Sequence, residues 1–313
     1  MNEPSSQTDA ESADVHAALA HIPGLPGHGN WQFERLASLT NRSYRVVRGD
    51  AAFVLRLPGF GTERYIDRAG EAFNAAAAAS IGLAPELVFI EPSSGVMLTR
   101  YVADASPLSP QSLEDPAALA AAVGLLHRLH HSGLVFRGTM RLFPKLDEYL
   151  RLAEESGHAA SELRLSELKR LRRQLAPLEP IVGPGWGRAK PCHIDPAPHN
   201  FIAAGGRHYL LDWEYAAMCE PLWDLAGLSI EGGLDPERDT RMLVLYFGQA
   251  DTPWLGRLYL YKLALRLLAA AWAAVQIADG NSPQPAKALL DSFLVRVEQG
   301  LGAAEFGRHL AVA

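Results

Sequence analysis

The amino-acid sequence predicts an α+β chain of two lobes: a small antiparallel five-stranded lobe with one helix, then a mainly helical lobe. Three observations carry this reading. Five short runs rich in aliphatic, aromatic and β-branched residues crowd into the first hundred positions, with one alanine-rich helical run among them. From Gln111 onward the apolar spacing is helical almost throughout. A length of 313 residues, 48% of them hydrophobic, is enough to bury two cores. The divisions read as a tail over 1–14, a first lobe over 15–102 and a second over 103–313.

Met1–Asp14 is polar and acidic, without the basic start and apolar core of a secretion signal, and is expected to be a disordered tail on a cytoplasmic protein. Val15–His21 predicts a short helix, which Pro23, Gly24, Pro26 and Gly27 break. Trp31–Leu39, Ser43–Arg48 and Ala51–Leu57 predict three strands whose short linkers favour hairpins. Tyr65–Ile81 places Ile66, Ala69, Phe73, Ala76 and Ser80 at helical spacing, and Gly82 and Pro85 close it. Glu86–Ile90 and Gly95–Tyr101 complete the strands. Asp104–Pro110 reads as a linker.

Helices follow over Leu113–His131, Phe143–Ser156, Ser161–Ala176, Arg238–Phe247, Trp254–Ala278 and Ala286–Leu301. Leu263–Ala278 is apolar, but Arg266 interrupts it and it is shorter than the roughly 20 residues of a bilayer span, so it reads as a core helix. A net charge of −6 leaves no basic footprint for nucleic acid or an anionic membrane, and neither is expected as a partner. The two cysteines, Cys192 and Cys219, exclude a disulfide framework and fit a reducing compartment. Oligomeric state leaves no trace in the sequence.

One stretch breaks the helical texture: Pro191–Phe201 with Tyr209–Tyr215, where brief strands over Phe201–Ala203 and His208–Leu211 bracket Gly205 and Gly206. His193, Asp195 and Asn200 give H-x-D-x-x-x-x-N. Phosphoryl transfer to an alcohol needs an acceptor for the hydroxyl proton and ligands for the metal that offsets phosphate charge; a carboxylate and a carboxamide on one loop can supply part of each. The hairpin would return Asp212, with Glu214 beside it, to the neighbourhood of Asn200. In the first lobe Arg56 stands in an apolar strand and needs a partner, for which Glu71 on the next helix is the candidate.

A glycine-rich phosphate loop is absent. Between the first two strands the chain reads Ser38–Ser43, so backbone amides with Thr40, Asn41 or Ser43 would have to cover phosphates. Other readings stand beside these: a proline-rich surface loop, an aspartate that merely ends a strand, an exposed edge arginine. His193, Asp195 and His199 also suit a transition-metal hydrolase. No G-x-S-x-G elbow exists for a serine hydrolase.

Taken together, these segments resemble the aminoglycoside phosphotransferase and choline kinase superfamily, small-molecule kinases with a protein-kinase-like fold, and within it the bacterial choline/ethanolamine kinases. The likeness runs in order from Leu39 to Gln276. It comprises Leu-Thr-Asn-Arg-Ser-Tyr-Arg-Val (39–46), Phe-Val-Leu-Arg-Leu-Pro-Gly (53–59), Ile-Asp-Arg-Ala-Gly-Glu (66–71), Leu-Leu-His-Arg-Leu-His (125–130) and the run from Cys192 through Glu231. The resemblance implies ATP and magnesium as cofactors. It implies Asp195 as catalytic base, Asn200 and Asp212 as magnesium ligands with Glu214 in support, and Asp224 as a brace for the loop. Arg56 and Glu71 become the nucleotide-orienting pair, Asn41 and Ser43 belong to the phosphate segment, and the hinge at Thr99–Val102, with Tyr101, would hold the adenine.

For the acceptor, the resemblance points to choline or a related amino alcohol such as ethanolamine, held by Tyr215, Glu231 and Trp272 through aromatic faces and a carboxylate. Two departures stand out. Ala269 occupies a position where the family has tryptophan, so that wall is either missing or supplied by another aromatic such as Trp254, Tyr259 or Tyr261. Ile194 stands where many eukaryotic relatives carry Asn. Trp272 also reads as an ordinary core aromatic. Kinases of an aminoglycoside, thiamine or a sugar, and a nucleotide-binding protein without transfer activity, remain as alternatives.

Overall fold

A computed structural model describes residues 4–25, 31–36, 41–59, 61–182, 189–281 and 283–312. The chain divides into two compact units, Met1–Ala103 and Asp104–Ala313. In the first, helix α1 (Pro4–His21) precedes strands β1 (Gln32–Leu36), β2 (Arg42–Arg48) and β3 (Ala51–Leu57), helix α2 (Arg68–Ser80) and strands β4 (Leu87–Ile90) and β5 (Met97–Arg100). The strands form one sheet in the order β1-β2-β3-β5-β4 with every neighbour antiparallel.

Alternation sets which face is inward. Tyr44 and Val46 of β2, Phe53, Leu55 and Leu57 of β3 and Leu98 of β5 form a buried cluster with Val15 and Leu19 of α1 and with Ile22 just after it. Arg56 falls on the other face of β3, in register between Ser43 of β2 and Met97 of β5. The helix α2 starts where the Asp67 carboxylate accepts the Gly70 N–H at 3.0 Å, and ends before Gly82, whose φ of 71° suits only glycine comfortably.

α1 takes in Pro4–Asp14, which the sequence suggested would be a disordered tail. Its apolar residues Val15 and Leu19, with Ile22 just beyond it, dock on the sheet, and Glu11 and Asp14 accept hydrogen bonds from Arg35 (2.5 Å) and Arg42 (2.6 Å), carrying the helix back through the polar stretch. The expected end of the first strand, Ala37–Leu39, lies outside the described residues, as do Leu39 and Thr40 of the phosphate segment.

The second unit contains β6 (Ser106–Pro107), α3 (Pro116–His130), α4 (Leu142–Glu155), α5 (Leu165–Gln174), β7 (Lys190–Cys192), β8 (Phe201–Ala204), β9 (Arg207–Leu210), β10 (Ala217–Cys219), α6 (Pro221–Glu231), α7 (Pro236–Phe247), α8 (Thr252–Ala278), α9 (Pro283–Gly302) and α10 (Ala304–Val312). Asp115-Pro116 and Asp235-Pro236 open α3 and α7, the aspartate accepting a backbone N–H and the proline supplying a preset φ. α8 is the spine on which α4, α6, α9 and α10 pack. Its length and apolar character would pass for a membrane span, yet 72% of the most apolar window is buried inside the protein, as a core helix requires. β6, β7, β10, α6 and α10 go beyond the elements read from the sequence.

Candidate active site

β7 delivers the chain to His193, and the next residues are fixed through their backbone. The Asp224 carboxylate, fully buried on α6, accepts the N–H of His193 at 2.7 Å and of Ile194 at 2.8 Å. Trp223 donates its indole N–H to the Ile194 carbonyl at 2.9 Å. These bonds hold Ile194 at φ 74°, a left-handed conformation that a β-branched residue rarely adopts and that Asn tolerates better. Ile194 offsets that strain by burying its side chain. His130, at the end of α3, donates its Nε2–H to Asp224 at 2.9 Å, while its Nδ1 lies 2.7 Å from the Tyr246 hydroxyl of α7. Neither His130 nor Tyr246 was singled out from the sequence.

The same loop carries Asp195 and Asn200. Asn200 donates its amide N–H to the Asp195 backbone carbonyl at 3.0 Å and to the carboxylate at 3.3 Å, which leaves its carbonyl oxygen as the donor available to a cation. β8 and β9 pair with Phe201 opposite Leu210, turning at Gly205 and Gly206, and Leu211 donates its N–H to the Asn200 carbonyl at 2.8 Å. Asp212 therefore follows directly at the hairpin's return, with φ 61°. Trp213 packs inward, its ring edge-on to His193 at 4.8 Å, and Glu214 is buried. The oxygen donors of Asn200, Asp212 and Glu214 suit a hard cation such as magnesium.

Asp195 is half-buried, and its carboxyl is pushed up from 3.8 to about 7. Burial contributes most; the charges of Glu231 and then Glu214 add to it, against the Asn200 hydrogen bond. Glu231 ends α6 exposed to solvent, yet the protein packed about its carboxyl raises its pKa. Burial lowers the pKa of His193, whose Nε2 is 2.8 Å from the Leu211 carbonyl. His199 is exposed. With His193 engaged inward and His199 turned to solvent, the transition-metal site suggested by His193, Asp195 and His199 is not assembled.

The aromatic residues sort differently from the expectation. Trp272 of α8 donates its indole N–H to the Tyr215 hydroxyl at 3.1 Å, and both rings are half-buried, so these two form one aromatic corner. Ala269, one turn before Trp272, is also part-exposed. The substitutes suggested for its wall are elsewhere: at about 1.5 Å per residue, Tyr261, Tyr259 and Trp254 lie roughly 16, 20 and 27 Å back along the helix from Trp272. Each is engaged there, Tyr261 with Glu220 (3.0 Å), Tyr259 with the Gly300 carbonyl (2.8 Å) and Trp254 stacked on Phe247 (4.0 Å).

In the first unit, Glu71 is buried on α2 and its carboxylate takes one guanidinium on each oxygen: Arg56 on Oε1 and Arg68 on Oε2, the latter at 2.7 Å. Ser43 is the residue opposite Arg56 across β2 and β3. Asn41 is buried, with its carbonyl oxygen accepting the Gly59 N–H at 3.3 Å. Tyr101 donates its backbone N–H to Ala52 at 3.1 Å, and the Arg45 guanidinium lies 4.8 Å from its ring centre.

Residues 32–261 match the phosphotransferase enzyme family. The Haemophilus influenzae protein LicA is 31% identical over 220 residues, which cover 70% of this chain and 63% of that protein, less than two-thirds of its length. Among solved structures, a choline/ethanolamine kinase family protein from Mesorhizobium loti superposes with a TM-score of 0.74 at 34% identity, covering 96% of this chain and 98% of that one. LicA in complex with AMP superposes with a TM-score of 0.69 at 26% identity, covering 86% and 91%.

Proposed function

We propose that this chain, which belongs to the phosphotransferase enzyme family, transfers the terminal phosphoryl group of ATP to the hydroxyl of choline or a related amino alcohol such as ethanolamine. The observation that carries this reading is the setting of Asp195, a carboxylate on a braced loop on which the charges of Glu231 and Glu214, both acidic, act most strongly. Such a site favours an alcohol that brings its own positive charge. An ammonium group close by would also lower the Asp195 pKa and ready the carboxylate to accept the hydroxyl proton.

Asp195 would orient the acceptor hydroxyl and take its proton as the phosphoryl group moves. Asn200, Asp212 and Glu214 would hold magnesium, which supplies charge compensation for the phosphates when bound. Arg56, paired with Glu71, would hold phosphate oxygens, with Asn41 and Ser43 in the adjoining segment and the backbone about Tyr101 serving the adenine. Tyr215 and Trp272 would offer aromatic faces to the ammonium group and Glu231 its charge. The Mesorhizobium loti structure, a choline/ethanolamine kinase family protein, supports the choice of acceptor, and the AMP complex of LicA supports a nucleotide. A cytoplasmic location suits both substrates.

The test is an acceptor panel with purified protein, ATP and magnesium, reading ADP release and phosphorylated product. Choline or ethanolamine should give the highest kcat/KM. Preference for an aminoglycoside, thiamine or a sugar would overturn the acceptor assignment, and magnesium-dependent ATP binding without product from any acceptor would overturn the reaction.

A further inference from the structure

Glu71 is held twice, and the second holder is a residue to which the phosphotransfer chemistry gives no part. Arg68 stands one helical turn before Glu71 on α2 and donates to its Oε2 at 2.7 Å, while Arg56 reaches Oε1 from β3. All three side chains are buried, Glu71 completely and each arginine to 9% exposure. Arg68 is also fixed at its other end, where a second guanidinium nitrogen donates to the Thr62 hydroxyl at 2.5 Å. Its stem is boxed in by the turn between β4 and β5. Gly95 has φ 74°, and a Cβ there would lie 2.8 Å from Arg68 Cδ and 3.0 Å from Pro58 Cγ.

The two arginines are thus differently placed on one carboxylate. Arg68 is anchored by Thr62, Glu71 and the packed turn, and its bond to Glu71 spans only three residues of one helix. Arg56 comes from a separate strand and meets the other oxygen. A buried carboxylate stripped of a lone cationic partner carries a large desolvation penalty, which would oppose any departure of that cation toward another anion. With Oε2 taken by Arg68, that penalty is reduced at Oε1. Without Arg68, both oxygens would be open to Arg56, whose guanidinium would settle on them as a bidentate pair.

We propose that Arg68 is a positioning residue for nucleotide polyphosphate: it holds Glu71 in place so that Arg56 can turn part of its hydrogen bonding to phosphate oxygens. This rests on the reading that the chain binds ATP. The experiment measures ATP, ADP and AMP binding by titration calorimetry on the full chain, for wild type, Arg68→Gln and Arg68→Lys, with melting temperatures and steady-state kinetics alongside.

Arg68→Gln should weaken ATP by about tenfold, ADP less and AMP by no more than about twofold, the loss of one buried charge partner falling on the phosphates. The KM for ATP should rise while the acceptor KM stays unchanged, and Arg68→Lys, which keeps the charge but not the fork, should recover part of the loss. A merely structural Arg68 would lower the melting temperature and leave the ATP to AMP affinity ratio unmoved, and that result overturns the proposal. Should Arg68→Gln not fold, the Arg68→Lys ratio decides in the same way: a fall supports the proposal and an unchanged ratio overturns it. A wild type that binds no ATP overturns the underlying reading together with this one, whereas normal wild-type binding with unchanged variants overturns only Arg68.

Discussion

Glu71 and Asp195 are carboxylates in opposite company. Glu71 sits between two guanidiniums, one to each oxygen. Asp195 feels the charges of Glu231 and Glu214, against which the Asn200 amide favours its ionised form, and its pKa climbs to about 7. The first arrangement concentrates cationic donors and suits an anion such as a polyphosphate; the second concentrates negative charge and suits a cation. The same functional group is thereby set to opposite tasks by what the fold places beside it.

Removing the anionic member should break the contrast most severely. Asp195→Asn should cut turnover by about a thousandfold while leaving the ATP dissociation constant nearly unchanged, since general-base catalysis contributes on the order of 10² to 10⁴. Steady-state kinetics with calorimetric ATP binding checks this, and turnover within a few-fold of wild type would remove Asp195 from the reaction.

Asp224→Asn attacks the brace instead. It leaves an amide where a charged acceptor serves the N–H groups of His193 and Ile194 and the His130 ring, so unfolding free energy should fall by about 3 kcal/mol, measured by urea denaturation. A loss below about 1 kcal/mol would mean the loop is held by other contacts.

Glu231→Gln sharpens the electrostatic side. It should raise the acceptor KM about tenfold with little effect on the KM for ATP, and shift the acid limb of the kcat/KM profile to lower pH, because the Glu231 charge is one of the causes holding Asp195 up. An unshifted limb would detach Glu231 from Asp195.

The smallest effect is on stability. With its carboxyl raised from 3.8 to about 7, folded Asp195 keeps a proton that the unfolded chain releases, so its contribution to stability falls as pH rises from about 4 through about 7. Asp195→Asn removes that slope and should melt a few degrees above wild type at pH 8, with the gap closing toward pH 5. The variant shares His193, whose lowered pKa acts in the opposite direction at acid pH, so the difference between the two proteins isolates Asp195. A gap independent of pH would contradict the raised carboxyl.

Much of the fold was legible because local signals agreed with the final packing. The apolar run Ala51–Leu57 marked a strand in which Arg56 stood out, and helical spacing marked α3 and α7, although it set their starts at Leu113 and Arg238 where the Asp-Pro caps set them at Pro116 and Pro236. α6 was not among the helical runs because its polar residues Asp224 and Ser229 are buried together with the apolar ones, so that only Glu231 at its end faces solvent and no polar stripe sets the period. The loop chemistry at Asp195, Asn200 and Asp212 could be read from spacing along a short stretch. The Tyr246–His130 bond could not, since its partners are 116 residues apart and neither residue type demands the other. Of the two readings at Ala269, the substitute wall fails for a simpler reason: Trp254, Tyr259 and Tyr261 share a helix with Trp272, and a rigid helix cannot fold them back to it.

The central claim is that the second unit selects an alcohol by its positive charge. The most direct test compares kcat/KM for choline with that for 3,3-dimethylbutan-1-ol, which has the same shape with carbon in place of the charged nitrogen. The account predicts a preference for choline on the order of a hundredfold, two tenfold steps of about 1.4 kcal/mol each. Equal use of the neutral alcohol would contradict it.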